Sequence, residues 1–102
     1  MTESQILAAI LREFGSRTDI RLWRQNTGAA RDPHTGQVIR FGVPGQADLS
    51  GILQGGQRLE IEVKTKTGRQ SKEQKRWQRM IEKFGGVYVL ARSVEDVRAV
   101  LG

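Results

Sequence analysis

An α/β domain built on a mixed sheet is the fold class this chain predicts, and three observations carry it. Apolar residues recur at helical spacing near both ends and again in the second half of the chain. Between them lies a stretch of strict two-residue alternation, the period of a strand. After the second helical stretch comes a short, continuous apolar run at residues 87–91, the pattern of a central or parallel strand. Read in order, the elements are α-β-β-β-β-α-β-α. At 102 residues the chain makes one domain spanning 1–102, with no repeat or linker.

The first helix is predicted over residues 3–14. Thr2 and Gln5 form a capping box, Ile6, Leu7, Ile10, Leu11 and Phe14 make one apolar stripe, and Gly15 suits the stop. A strand at 20–25 begins the sheet. The polar stretch 26–36 has turn chemistry at Asp32-Pro33-His34-Thr35-Gly36, and 37–41 resumes as a strand, so a hairpin over 20–42 is expected. Gly42-Val43-Pro44-Gly45 breaks it. Residues 48–53 and 58–64 read as two strands joined at Gly55-Gly56. Leu59, Ile61 and Val63 share one face of the second of these, while Glu60, Glu62 and Lys64 share the other. Ser71 and Gln74 form a second capping box, ahead of a stripe of Trp77, Met80, Ile81 and Phe84 that ends at Gly85-Gly86. Ser93 is placed to cap a last helix carrying Val94, Val97, Val100 and Leu101.

Composition narrows the function classes. The chain has no cysteine, which excludes a disulfide framework and a thiolate metal site. No apolar run approaches the ~20 residues of a membrane span. A basic, then apolar leader is absent from residues 1–15, so a soluble, intracellular, cytoplasmic protein without a membrane partner is expected. Lys and Arg number 17 against 11 Asp and Glu, a net charge of +6 that favours a polyanion as partner.

The chemistry concentrates at three positions. Glu62 and Lys64 share a strand face, whereas the second E-x-K string, Glu73 to Lys75, lies on a predicted helix that turns its two ends apart. A hairpin about Gly55-Gly56 brings Asp48 opposite the end of the strand that carries Glu62 and Lys64. Two acids and an amine at one spot can hold a divalent cation and activate a water. Duller roles exist for each: a solvated strand face for Glu62 and Lys64, a turn cap for Asp48. Gln74 is either the helix cap or a polar group at a ligand site, and Glu3 either complements its helix dipole or faces a cation. Lys64, Lys66, Arg69, Lys72, Lys75, Arg76, Arg79 and Lys83 form a basic tract over the loop and second helix, with Arg31 and Arg40 on the hairpin; such a tract can follow phosphates. Trp23 and Trp77 are assigned to the core, and His34 has no role.

Together these residues resemble the PD-(D/E)xK nuclease superfamily, and within it the VRR-NUC branch, over nearly the whole chain. Glu3 matches the acid of the first helix, Asp48 the acid after a glycine-containing turn, Glu62 to Thr65 the E-V-K-T element, and 68–74 the segment ending in glutamine. Ala47 stands where the family name has proline, which affects the turn and not a ligand. The resemblance implies a restriction-endonuclease-like core, a mixed β-sheet flanked by helices. It implies Mg²⁺- or Mn²⁺-dependent cleavage of DNA, with Asp48, Glu62, the Val63 carbonyl and Glu3 as metal ligands. Asp48, Glu62, Lys64 and Gln74 would be the catalytic set, and Arg40, Lys66, Arg69, Lys72, Lys75 and Arg76 would bind DNA. Small stand-alone members are similar to Holliday-junction resolvases, which implies branched DNA as substrate and a homodimer.

Overall fold

The computed structural model describes residues 1–25 and 28–102. Its elements are α1 (Glu3–Phe14), β1 (Ile20–Arg24), β2 (Gly28–Arg31), β3 (Val38–Phe41), β4 (Leu49–Leu53), β5 (Arg58–Val63), α2 (Lys72–Lys83), β6 (Val87–Ala91) and α3 (Val94–Leu101). Four strands make one sheet in the order β1-β4-β5-β6, antiparallel except for the parallel pair β5–β6. The mixed α/β architecture follows the apolar periodicity. No described helix is long and apolar enough to cross a membrane.

The alternation in β5 builds both faces of this sheet. Leu59, Ile61 and Val63 are buried against Ile6, Ile10 and Phe14 of α1 and Val97 of α3, with Leu49, Val89 and Ala91 from the neighbouring strands. Each such Ile or Leu contributes roughly 1.5–3 kcal/mol by leaving water. The opposite face of β5 lies under α2, where the Trp77 indole N–H reaches Glu60. Both capping boxes form: Thr2 with Gln5 and Ser71 with Gln74 exchange side-chain and backbone hydrogen bonds at the starts of α1 and α2. Those caps satisfy backbone donors that have no partner within the helix.

Several expectations need correction. The predicted hairpin over 20–42 does not form, because β1 pairs with β4 along the register Ile20 to Leu53 through Arg24 to Leu49. The second half of the stretch folds as a separate two-stranded sheet, β2 with β3, in which Gly28 faces Phe41 and Arg31 faces Val38. The order is therefore α-β-β-β-β-β-α-β-α, one strand more than predicted. Gly-Ala-Ala-Arg has poor strand propensity, so β2 carries no local signal. The first two residues of the polar stretch, Asn26 and Thr27, lie outside the described residues.

β6 is parallel to β5, as expected, but it is an edge strand. Trp23 is 42% exposed, and its ring lies beneath the Arg58 guanidinium at 5.8 Å instead of in the core. Phe84 continues the apolar spacing of α2 by one position, yet it is the C-cap and stands in solvent, because the helix ends at Lys83. Ser93 occupies the N-cap of α3 without a side-chain capping bond; Asp96 instead accepts the Arg92 backbone N–H at 2.8 Å.

Candidate metal centre

The site is assembled where β4 begins and β5 ends. The ladder pairs Leu49 with Ile61, so the next step of the antiparallel register sets Asp48 across from Glu62. Asp48 is locked there from two directions. Its Oδ2 accepts the Val63 backbone N–H at 2.8 Å, and its own carbonyl accepts the Gln25 N–H at 2.9 Å. The Asp48 carboxylate therefore does tie a backbone group, as the turn-cap reading had it, but the group belongs to the neighbouring strand.

The turn that delivers Asp48 is itself seated on α2. Gly45 has φ +84°, and a Cβ there would collide with the Glu73 carbonyl. Only glycine meets both the positive φ and the close approach. The start of α2 thus braces the loop that carries the first acid.

Glu62 does not lie on a solvated face. It is 2% exposed and lies beside Asp48. Burial pushes its pKa up to about 9; a hydrogen bond shared with Asp48 and that residue's negative charge add to the rise, the Lys64 ammonium opposes it, and Glu3 adds a further small push. A carboxyl with a pKa near 9 is protonated at neutral pH in the absence of a cation. One of its oxygens, Oε2, is buried with no hydrogen-bond partner among the described residues. Burial of a polar oxygen without a partner is unfavourable by about 1–3 kcal/mol; Ser50 Oγ is the other such atom among the described residues.

Glu3 and Val63 meet Asp48 on the other side. A cleft of about 360 Å³ is lined by Glu3, Arg24, Asp48 and Val63, with Leu7 and Leu11 of α1 as its apolar wall. The first turn of α1 places Glu3 at the mouth, exposed. Among the described residues, no three His, Cys, Asp or Glu side chains stand close enough to make a metal cage by themselves. Asp48, Val63 and Glu3 line this cleft, whereas Glu62, buried beside Asp48, does not. The donor set the sequence names is the Asp48 and Glu62 carboxylates, the Val63 carbonyl and Glu3. It is all oxygen, which suits a hard cation such as Mg²⁺ or Mn²⁺, and the unpartnered Oε2 of Glu62 is the kind of atom a cation would satisfy.

Lys64 follows Glu62 on the same face, half-buried, with its backbone N–H bonded to the Ala91 carbonyl at 3.0 Å. Gln74 acts as the helix cap: its Oε1 accepts the Ser71 N–H at 2.8 Å, while Ser71 Oγ accepts the Gln74 N–H at 3.1 Å. No hydrogen bond among the described residues joins Gln74 to Lys64. Of the basic tract, Lys66, Arg69 and Lys75 line one cavity, Arg76 lines a different one with Pro44 and Trp77, Lys72 lies exposed between them in sequence, and Arg40 belongs to the separate β2–β3 sheet.

Comparison with known families, curated proteins and solved structures found no match to this chain. The geometry, beside the resemblance read from the sequence, therefore carries the functional reading. It also adds residues that sequence reasoning passed over. Arg24 enters the Asp48 cleft from β1. Arg92, just past the end of β6, donates to the Thr65, Gly68 and Lys66 carbonyls at 2.5, 2.7 and 3.3 Å and so holds the loop after Lys64. The signal for Arg92 was its place: a charged residue at the carboxyl end of a parallel strand, where α/β sheets bind ligands.

Proposed function

We propose that this protein is a metal-dependent endonuclease of the PD-(D/E)xK type that cuts branched DNA in the manner of a Holliday-junction resolvase. The observation that carries the reading is Glu62, a buried carboxyl with one unpartnered oxygen, set against Asp48 and followed by Lys64. A core has no structural need for two neighbouring acids, one of them incompletely bonded.

Asp48, Glu62 and the Val63 carbonyl, with Glu3 across the cleft, would hold Mg²⁺ or Mn²⁺. When bound, such a cation polarises a phosphate oxygen and acidifies a water. The Val63 N–H orients Asp48, leaving its second oxygen for the ligand. Glu62 must give up its proton before it can coordinate, so loading is favoured by rising pH. Lys64 orients the attacking water or offsets negative charge as it grows on the phosphorane-like transition state. Gln74 contributes chiefly by fixing the start of α2, on which Gly45 and hence Asp48 rest. Arg40, Lys66, Arg69, Lys72, Lys75 and Arg76 supply the positive potential that draws DNA in. A symmetric junction requires two incisions, so the working form would be a homodimer.

The test is cleavage of a labelled four-way junction, a flap and plain duplex in Mg²⁺, Mn²⁺ and EDTA. Metal-dependent nicking of the junction by wild type, lost in Lys64→Ala, is the expected result. Salt-sensitive binding without cutting would make the protein a DNA-binding module on a nuclease-like scaffold, and failure to bind any nucleic acid would end both readings.

A further inference from the structure

Beside the proposed metal centre lies a second cavity, of about 540 Å³, between the loop 65–70 and the end of β6. Its size falls in the roughly 300–1,000 Å³ range of small-ligand sites. Lys66, Arg69, Lys75 and Arg92 line it, Gln70 stands in its wall and Leu90 forms its floor; no acidic side chain does. None of the four cations pairs with a carboxylate among the described residues, whose ion pairs involve only Arg17, Arg58 and Arg98. Four like charges around one cavity repel one another, and an anion among them relieves that repulsion.

The cavity is built before any ligand arrives. Arg92 Nη1 is gripped by three backbone carbonyls of the loop, so the loop is wrapped around a fixed guanidinium. The wall is braced separately, since the Gln70 amide donates to Gln78 Oε1 at 3.0 Å and to Tyr88 Oη at 3.2 Å. Arg92 is thus the fixed cation of the cavity, with Lys66, Arg69 and Lys75 exposed around it and free to turn onto an oxyanion.

Its position identifies the anion. Leu90, the floor, is the in-register partner of Glu62 on the adjacent parallel strand. Adjacent strands are about 4.8 Å apart, and each DNA strand carries one charge per roughly 3.4 Å of helix axis. With one phosphate at Glu62, another on the same strand, one or two nucleotides away, reaches the cavity. We propose that the Lys66, Arg69, Lys75 and Arg92 cavity is a phosphate pocket that seats a single uncut phosphodiester of the DNA strand and so sets the register of the bond presented to Asp48 and Glu62. The proposal rests on the nuclease reading, and it separates these four cations from the rest of the basic tract.

The test is a methylphosphonate scan, which neutralises one phosphate at a time along the strand of a junction, with binding measured by fluorescence anisotropy in EDTA. Arg69 and Lys75 are exposed and make no side-chain hydrogen bond among the described residues, so the double variant Arg69→Ala/Lys75→Ala keeps the fold. Wild type is expected to lose about tenfold in affinity at one position near the cleaved bond. The double variant binds unmodified DNA about tenfold more weakly, shows a shallower salt dependence by about 0.9 in the log–log slope, and is indifferent to the methylphosphonate at that position. An equal loss in wild type and variant, or a scan with no preferred position, overturns the pocket. Inorganic phosphate that shifts the Arg92 side-chain NMR resonance while the scan stays flat would make it a free-anion site and likewise overturn the proposal. Junction cleavage in Mg²⁺ on the same samples keeps the two ideas apart: cutting with a flat scan sinks only the pocket, and absence of both binding and cutting sinks the nuclease reading.

Discussion

Glu60 and Glu62 leave the same face of β5 two residues apart, and both are buried, at 0% and 2% exposure. Their surroundings differ. Glu60 is saturated: the Trp77 indole donates to Oε1 at 2.6 Å and the Arg58 guanidinium to Oε2 at 3.0 Å. Glu62 faces a second acid, keeps one oxygen without a partner among the described residues, and has its pKa raised to about 9. One acid joins a helix to a sheet. The other sits beside a like charge with an oxygen still to be satisfied. Burial alone therefore does not distinguish the two acids; incomplete bonding does.

The largest test of that contrast is in the chemistry. Glu62→Gln and Asp48→Asn are each expected to lower Mg²⁺-dependent junction cleavage by about 10³-fold or more, the scale of losing one transition-state contact, while Glu60→Gln stays within a few fold once its fold is populated. Initial cleavage rates of the three variants decide it, and equal losses at positions 60 and 62 would erase the distinction.

The next test is pH. Glu62 has its pKa raised from 4.5 in the unfolded chain to about 9 in the folded one. Between those values the folded state holds a proton that the unfolded state has lost, so stability is fully present below pH 4.5 and declines as pH rises towards 9. For metal-free protein the Glu62 contribution is a fall of up to about 1.4 kcal/mol per pH unit. Urea denaturation in EDTA across this range should show that slope in wild type and lose it in Glu62→Gln. Mg²⁺ should flatten it in wild type, since a bound cation replaces the proton.

Stability then separates the acids in the opposite sense. Glu60→Gln leaves Trp77 an acceptor but strands an amide in the interior, for an expected loss of about 1–3 kcal/mol. Arg58 adds little to that sum, because its side chain is 44% exposed and can turn to water. Glu62→Gln at pH 8 without metal should be neutral or stabilising. The smallest effect is expected at the brace behind both: Gln74→Ala removes half of the α2 capping box, for roughly 0.5–1 kcal/mol of stability, with cleavage reduced in proportion to any loosening of the Gly45 turn.

Local rules account for what could be read from the chain. Periodicity identified α1, β5, α2 and α3, and both capping boxes form as spelled by Thr2-Gln5 and Ser71-Gln74. Turn chemistry at Gly55-Gly56 implied the β4–β5 hairpin, and that hairpin implied the meeting of Asp48 with Glu62. These features depend on residues a few positions apart, whose geometry is set by backbone sterics and hydrogen bonding within one or two elements. Partner choice over longer range was not legible. Nothing in Ile20 to Arg24 says that it pairs with β4 in preference to the strand that follows it, and nothing in Glu60 or Glu62 says that α2 will cover one acid with an indole and leave the other facing Asp48. Nor does Arg92 announce that a loop some 25 residues earlier will wrap around it. Burial, a raised pKa and an unpartnered oxygen are properties of an environment, and an environment exists only once distant segments have packed.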